Sequence, residues 1–574
     1  MSNLLEQASL VMIPSGYKED VVYSEIPING AGDLAFTRAS NGTRINSQGF
    51  VETVPWNLFT YSEDFANADW IKVGSTISSN VLVAPNGTTT ADKLVEDTSN
   101  GVHIALQISG ERNVNSIYAF SVYAKAGERT KINLFNNGNG LGNANFDLSN
   151  GTATLIAGEF ATIESVGNGW YRCVVGMQEN STVGNFNYHI RLLDASGSDS
   201  YTGNGTSGAY IWGAQVNLGT AKPYFPTTDR LNVPRLTYQN GGGGCPSLLL
   251  EKQSTNLVTY SEQLDNADWS KVQTSISANA TTSPDGTQNA DLVYPSVSGI
   301  SFTFQQKLAT IGTTYSQSIY VKAGGKNYCW MLDINGSIGA RFDLINGTVV
   351  NNPSGNAKIQ SVGNGWFRIS DVGVATGSLS YVGISSADSA STNNTTVNGT
   401  DGVYAWGGQI EAGSYPTSYI PTTSSSATRV ADDIAPKSLS SVGITSNYTL
   451  FFQLGQCVLS AAESWILQSS SGANTPFQIY GTTAILYTSA GYIYPFSFLT
   501  TNPNNDKVAV AYNGTNITVF WNGVKMGQWT ATTEWANLTT LDLLYGISTQ
   551  VQYREVALFN VGLSDADAIS LTTL

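Results

Sequence analysis

One stretch occurs twice, and it constrains the fold more than any other feature of the chain. From Asn57 the sequence reads N-L-F-T-Y-S-E-D-F-A-N-A-D-W-I-K-V, ending at Val73. From Asn256 it reads N-L-V-T-Y-S-E-Q-L-D-N-A-D-W-S-K-V, ending at Val272. The correspondence continues downstream. Pro85-Asn86-Gly87-Thr88 matches Pro284-Asp285-Gly286-Thr287, and Ser165-Val166-Gly167-Asn168-Gly169-Trp170 matches Ser361-Val362-Gly363-Asn364-Gly365-Trp366. Tyr210-Ile211-Trp212-Gly213 matches Tyr404-Ala405-Trp406-Gly407. Each copy closes on a proline-marked tail, P-Y-F-P-T-T and Y-P-T-S-Y-I-P-T-T. Solenoid repeats run about 20–50 residues, so copies this long are tandem domains.

Within a copy, short alternating runs are separated by N-G, D-G and G-N-G turns. Tyr118, Phe120, Val122 and Ala124 fall on one face of a strand and Ala119, Ser121, Tyr123 and Lys125 on the other, the period-2 pattern of a β-strand. Many such strands between turn signals predict an all-β chain of antiparallel two-sheet sandwiches, of jelly-roll type in the two copies. The composition agrees. Charged residues are 12% and there are 58 glycines, so helix-forming charged runs are scarce and turn residues abundant.

Six segments follow. Residues 1–55 hold few apolar residues and are expected to dock elsewhere as an N-terminal attachment segment. Residues 56–228 are the first module and 256–423 the second. Residues 229–255 are a linker in which Gly241–Gly244 read as a flexible joint and Leu248–Leu250 as an apolar stretch that tucks against a neighbour. Residues 424–441 form a Ser/Thr-rich connector. Residues 442–574 differ from the copies and read as further hairpins with N-G turns, closed by one short helix capped by Ser564.

The net charge of -15 disfavours nucleic acid or an anionic membrane as partner, because phosphate recognition needs clustered cations. No apolar stretch of about 18 residues is present, and no membrane insertion is expected. Cys173, Cys245, Cys329 and Cys457 are far apart and are expected as free thiols. No basic segment followed by an apolar run opens the sequence, so a signal peptide is not expected.

The last segment, with V-F-W-N-G-V-K and V-A-L-F-N-V-G-L-S-D-A-D-A-I, resembles concanavalin A-like (laminin-G-like) lectin domains. The paired modules look like carbohydrate-binding jelly rolls. Their N-L-x-T-Y-S-E opening and S-V-G-N-G-W core, with the L-x-F-T-R-A-S-N-G-T-R-I-N-S-Q-G-x-V-E stretch before them, are similar to fibre proteins of tailed phages, notably those of Bacteroidetes hosts. The resemblance implies a non-catalytic head or tail fibre on the virion surface, assembled in the host cytoplasm. It implies attachment to other virion proteins through residues 1–55, self-association as a homotrimer, and adhesion to host or mucosal glycans. The alternative is a secreted bacterial glycan-binding protein or a capsule depolymerase.

Catalytic constellations are sparse. His103 and His189 lie in the first module alone, and no zinc-protease, nucleophile-elbow or phosphate-loop motif appears. Glycosidases need two carboxyl groups across a cleft. Glu63/Glu262, Asp69/Asp268, Asp92/Asp291 and Asp147/Asp343 match between copies, but shared acids suit local backbone bonding, so no enzyme is expected. No cofactor is expected, although oxygen ligands leave room for a structural Ca²⁺. The matched tryptophans Trp70/Trp269, Trp170/Trp366 and Trp212/Trp406 are expected in cores. Unmatched aromatics are the ligand candidates: Tyr328 and Trp330 in the second module, Tyr480 and Tyr492 in the last, with Tyr487 and Tyr494 beside them.

Overall fold

The structure is a computed structural model. It describes all residues except 1–3, 110–115, 138–141, 180–185, 240, 445, 456, 458–462, 470–476, 481–482, 498–504 and 544–549, and the backbone alone for 463–469 and 478–480. The chain is all-β, built from tandem antiparallel sandwiches. It divides into two compact units: Pro55–Arg230 with Gly286–Asn289, and Met1–Val54 with Leu231–Asp285 and Ala290–Leu574.

The smaller unit carries the first module. One six-stranded sheet runs in the order Thr152–Ala157, Gly142–Asp147, Lys131–Asn136, Phe186–Leu192, Ile104–Ser109, Ile71–Val73. The other runs Phe160–Gly167, Trp170–Gln178, Ile117–Lys125, Gly208–Leu218, Ala91–Glu96, Ser75–Leu82. Tyr118, Phe120, Val122 and Ala124 face the shared core with Phe59, Phe65, Trp70 and Tyr188. The opposite face of that strand is also covered. Arg172 reaches across it to the Ser121 hydroxyl and the Lys222 carbonyl, and its guanidinium lies over Tyr123.

The duplicated opening ties each sandwich to its own tail. Asn57 donates to the carbonyls of Ala214 and Phe225, and Asn256 to those of Gly408 and Ile420. The indole N–H of Trp70 donates to the Tyr61 carbonyl and that of Trp269 to the Tyr260 carbonyl, both at 3.0 Å. Each N–H finds a partner, so the large rings are buried without an orphaned donor. Gly213 and Gly407 sit at matched bulges with φ +59° and +67°, each under a tail tyrosine, Tyr224 or Tyr419. Positive φ together with a ring at 3.0–3.2 Å from where a Cβ would stand explains why both copies keep glycine there.

The larger unit holds the second module, whose sheets repeat the first module's order strand for strand. Its core gathers Val258, Trp269, Ile319, Met331, Phe342 and Ile384. The last sandwich is assembled from distant parts of the chain. Its larger sheet runs Arg235–Thr237, Ser247–Glu251, Gln550–Phe559, Tyr448–Leu454, Lys507–Tyr512, Asn516–Trp521, Val524–Thr530, and Leu10–Met12 adds to Gln550–Phe559. Residues 1–54 are thus part of this body: Leu10, Met12, Leu34 and Phe36 share one core with Leu248, Leu250, Phe452 and Trp535.

Gly241–Gly244 have φ of +86°, +81°, +78° and +71°, a left-handed run open only to glycine at low cost. The run is tied down. Gly243 N donates to the Ser47 carbonyl, and a Cβ on Gly49 would stand 2.5 Å from the Gly241 carbonyl carbon. The closing helix Asp565–Thr572 starts at Ser564, whose hydroxyl accepts from Asp567 N at 3.2 Å.

Candidate functional site

A cavity of about 530 Å³ opens in the larger unit, within the size range of small-molecule sites. Thr43, Arg44 and Val51 come from the hairpin Gly42–Ile45 and Val51–Val54. Tyr238 follows the strand Arg235–Thr237, and Gln550 and Gln552 lie on Gln550–Phe559. Lys358, Gln360, Arg368 and Ser370 come from adjacent strands of the second module, and Tyr415, Ser418 and Tyr419 from its tail. Aromatic rings, amides, hydroxyls and guanidinium groups therefore converge on one space. Tyr415, 3% exposed, carries a hydroxyl with no hydrogen-bond partner. A buried unpaired hydroxyl costs about 1–3 kcal/mol until something bonds to it.

A charge cluster lies against this cavity. Asp432 accepts from Arg38 at 2.7 Å and also from Arg235. Glu251 accepts from Arg235 at 2.8 Å, and Arg429 stands 3.5 Å from Glu251 and 3.8 Å from Asp432. All five side chains are fully buried or nearly so. Despite burial, the Arg429 and Arg235 charges hold the Glu251 carboxyl down at about 2. Burial outweighs Asp432 at Arg38 and brings its guanidinium down to about 10. Ser418 connects cluster and cavity: its hydroxyl accepts from Arg235 at 2.7 Å and donates to Glu251 at 2.6 Å.

Tyr419 links the cavity to a second group. Its hydroxyl is 2.6 Å from Ser261 Oγ and donates to Glu262 at 3.2 Å. Burial, and next the charge of Asp285, push the Glu262 carboxyl up to about 8. The first copy repeats the network with Ser62, Tyr224 and Glu63, but carries Asn86 where Asp285 stands. The Ser–Tyr–Glu linkage therefore belongs to the fold, and the second carboxyl belongs to the second module alone. A raised carboxyl favours the folded state while protonated, so its stabilising contribution is complete below the ordinary glutamate value and is lost as pH rises through about 8. The E262Q variant is expected to flatten this decline between pH 5 and 9, measured as the urea midpoint against pH. An unchanged slope would refute the assignment.

The other matched acids serve local structure. Asp92 accepts from Phe65 N and Asn80 N, and Asp291 from Leu264 N and Asn279 N. Asp69 accepts from Thr60 and Asp268 from Thr259, both at 2.6 Å. Asp147 and Asp343 each accept from the backbone two residues on. Among the described residues no group of three or more His, Cys, Asp or Glu side chains is placed to hold a metal ion. His103 lies between the carbonyls of Gly74 and Tyr201, and burial pushes His189 down to about 4.

The unmatched aromatics divide. Trp330, expected as an exposed ring, is fully buried. Its indole donates to the Asn393 carbonyl at 3.0 Å, because the loop around Asn393, held by Arg341, folds over that face of the sheet. Tyr328 is half-buried on the same strand. Tyr480 ends the strand Phe477–Tyr480, and its side chain lies outside the described residues. Tyr492 and Tyr494 are 46% and 67% exposed on Gly491–Ser497, at the edge of the smaller sheet of the last sandwich. Tyr487 stands across from Tyr492 with ring centroids 4.8 Å apart. The cavity was not legible beforehand because its walls come from segments far apart in the chain, from Thr43 to Gln552. Arg235 between Pro234 and Leu236, and Glu251 directly after Leu248–Leu250, charged residues beside apolar ones, were the available signal.

Residues 5–154, about a quarter of the chain, match the family model of the glycosyl hydrolase family 49 N-terminal Ig-like domain. No curated protein matches the chain. The match corrects two expectations drawn from the sequence. The segment expected to attach a virion fibre, together with much of the first module, is similar to a domain of carbohydrate-cleaving enzymes. A non-catalytic phage fibre is thereby overturned, and so is the expectation of no enzyme activity. The chain is a carbohydrate-related β-sandwich protein, which accords better with the alternative of a glycan-binding protein or depolymerase.

Proposed function

We propose that this chain is a glycoside hydrolase-related protein that binds a glycan in the cavity of its larger unit. The observation that carries the reading is the similarity of residues 5–154 to a glycosyl hydrolase domain. The cavity supports it with a sugar-sized volume and a lining of tyrosine, glutamine, serine and threonine. Tyrosine rings accept the C–H face of a pyranose, and amides and hydroxyls match its hydroxyl groups. The last sandwich is read as concanavalin A-like, and its exposed Tyr492 and Tyr494 give it a second surface on which sugar rings stack.

The carboxyl pair Glu262 and Asp285 is the acid candidate in this reading, set behind the cavity wall: neither lines the cavity, and Glu262 meets it through the Tyr419 hydroxyl. A glycosidase needs one carboxyl still protonated near neutral pH beside another that is ionised. Glu262, held up to about 8 with the charge of Asp285 among the causes, meets the first condition. The test incubates the full chain with a panel of plant and bacterial polysaccharides and measures binding and new reducing ends. The expected result is binding to at least one member, with reducing ends that are lost in E262Q and reduced in D285N. Asn86 in the first copy shows that this backbone tolerates asparagine there. An absence of both binding and cleavage across the panel would sink the reading. Cleavage that survives E262Q would remove Glu262 from it.

A further inference from the structure

The chain carries a net charge of -15, yet none of the residues lining the cavity is a carboxylate. Three are cations: Arg44, Lys358 and Arg368. Arg44 is matched by Glu52 at 2.8 Å. The other two have no carboxylate partner among the described residues. Lys358 is exposed. Among the described residues Arg368 donates to the neutral Ser318 hydroxyl, and it lies over the Tyr320 ring.

The charge cluster behind the cavity adds to this imbalance. Arg38, Arg235 and Arg429 face only Glu251 and Asp432. Widening the circle to Lys252, which feels Arg429 and Glu411, and to Glu411 itself leaves the same excess of one positive charge. Arg429 also holds two guanidinium nitrogens with no hydrogen-bond partner. A buried excess charge is screened far less than a surface one, and Arg235 of the cluster bonds directly to Ser418, which lines the cavity.

We infer that the cavity takes an anionic sugar, one bearing a carboxylate or sulfate group that sits between Lys358 and Arg368. This rests on the glycan reading above and narrows it to a substrate class. A carboxylate and a sulfate ester share the needed chemistry: a negative charge with acceptor oxygens that guanidinium and ammonium donors can reach. The neutral lining groups, among them Gln360, Gln550, Gln552 and Ser370, are left for the sugar's own hydroxyls.

The experiment titrates the full chain by calorimetry with three probes: oligogalacturonate, its methyl-esterified neutral form, and a sulfated galactan oligosaccharide. At least one anionic probe is expected to bind about tenfold or more tighter than the neutral one, a difference of the size of one charged hydrogen bond. That preference should fall with salt and should disappear in K358E and in the K358M/R368M double variant. Lys358 is exposed, so K358E tests the site even if the double variant misfolds. Loss of preference with the carboxylated probe but not the sulfated one, or the reverse, assigns the anion. Equal binding of neutral and anionic probes would overturn the inference while leaving the glycan reading in place. Failure of all three probes to bind, with other polysaccharides still bound, would overturn it too.

Discussion

Replacing Asp432 by alanine is expected to destabilise the larger unit by about 3–5 kcal/mol, the usual cost of stripping one partner from a buried ion network. Asp432 is fully buried and in contact with three arginines, two of them through direct donation at Arg38 and Arg235. Without it, Glu251 alone faces three guanidinium groups in a dry interior. Arg38 suffers most, because its Nη1 atom donates to Asp432 and Glu251 is not among its partners. The measurement is urea unfolding followed by tryptophan fluorescence. A change below about 1 kcal/mol would mean that water reaches the cluster. The pH dependence carries the same logic with a defined sign. Glu251 is held down at about 2, so its contribution is complete above the ordinary glutamate value and drains away as pH falls toward 2. Acid unfolding of the larger unit should therefore move to higher pH in D432A, where less charge holds the network together.

Trp330→Ala is the second large effect, expected to cost about 3–5 kcal/mol through loss of burial and the cavity left behind. The ring is fully buried on a central strand between Ile338–Asp343 and Leu379–Ala387, against Phe302 with centroids 5.8 Å apart. Its loss also orphans the Asn393 carbonyl and loosens the loop above it. Tyr492→Ala should change stability by less than about 1 kcal/mol, since nearly half of the residue is already in water. Thermal unfolding of the two variants side by side separates the roles. Comparable losses would show that Tyr492 is a packing residue and would remove it from the glycan-stacking surface.

The duplicated stretch made much of the fold legible. Identical turn signals at matched spacing imply identical strand orders, and both sandwiches show them. The matched tryptophans also read correctly as packing residues, because a ring kept in two diverged copies answers to the common scaffold. Trp330 did not read correctly. An aromatic with no counterpart looked free, but the Asn393 loop that covers it is a tertiary feature with no local signature. Residues 1–54 were harder still. Leu10–Met12 is too short to announce a strand, and its partner lies at Val556–Leu558, a pairing that period and propensity cannot detect. The same holds for the arginine cluster, whose members come from positions 38, 235, 251, 429 and 432.

The strand Gln550–Phe559 sits at the middle of its sheet, between Tyr448–Leu454 on one side and Ser247–Glu251 and Leu10–Met12 on the other. It also leaves the ribosome long after the strand Leu10–Met12. At about 5–20 residues per second, Leu10, Val11 and Met12 wait on the order of a minute for the strand they pair with. The strands of the smaller unit, by contrast, have all emerged by Leu218 and can close early. Synthesis thus yields a finished sandwich while another stays open, its apolar strands uncovered until Gln550–Phe559 emerges. Truncated chains and stalled ribosomes should be the principal source of aggregation for this protein, and a nascent-chain chaperone would act on its first fifty residues.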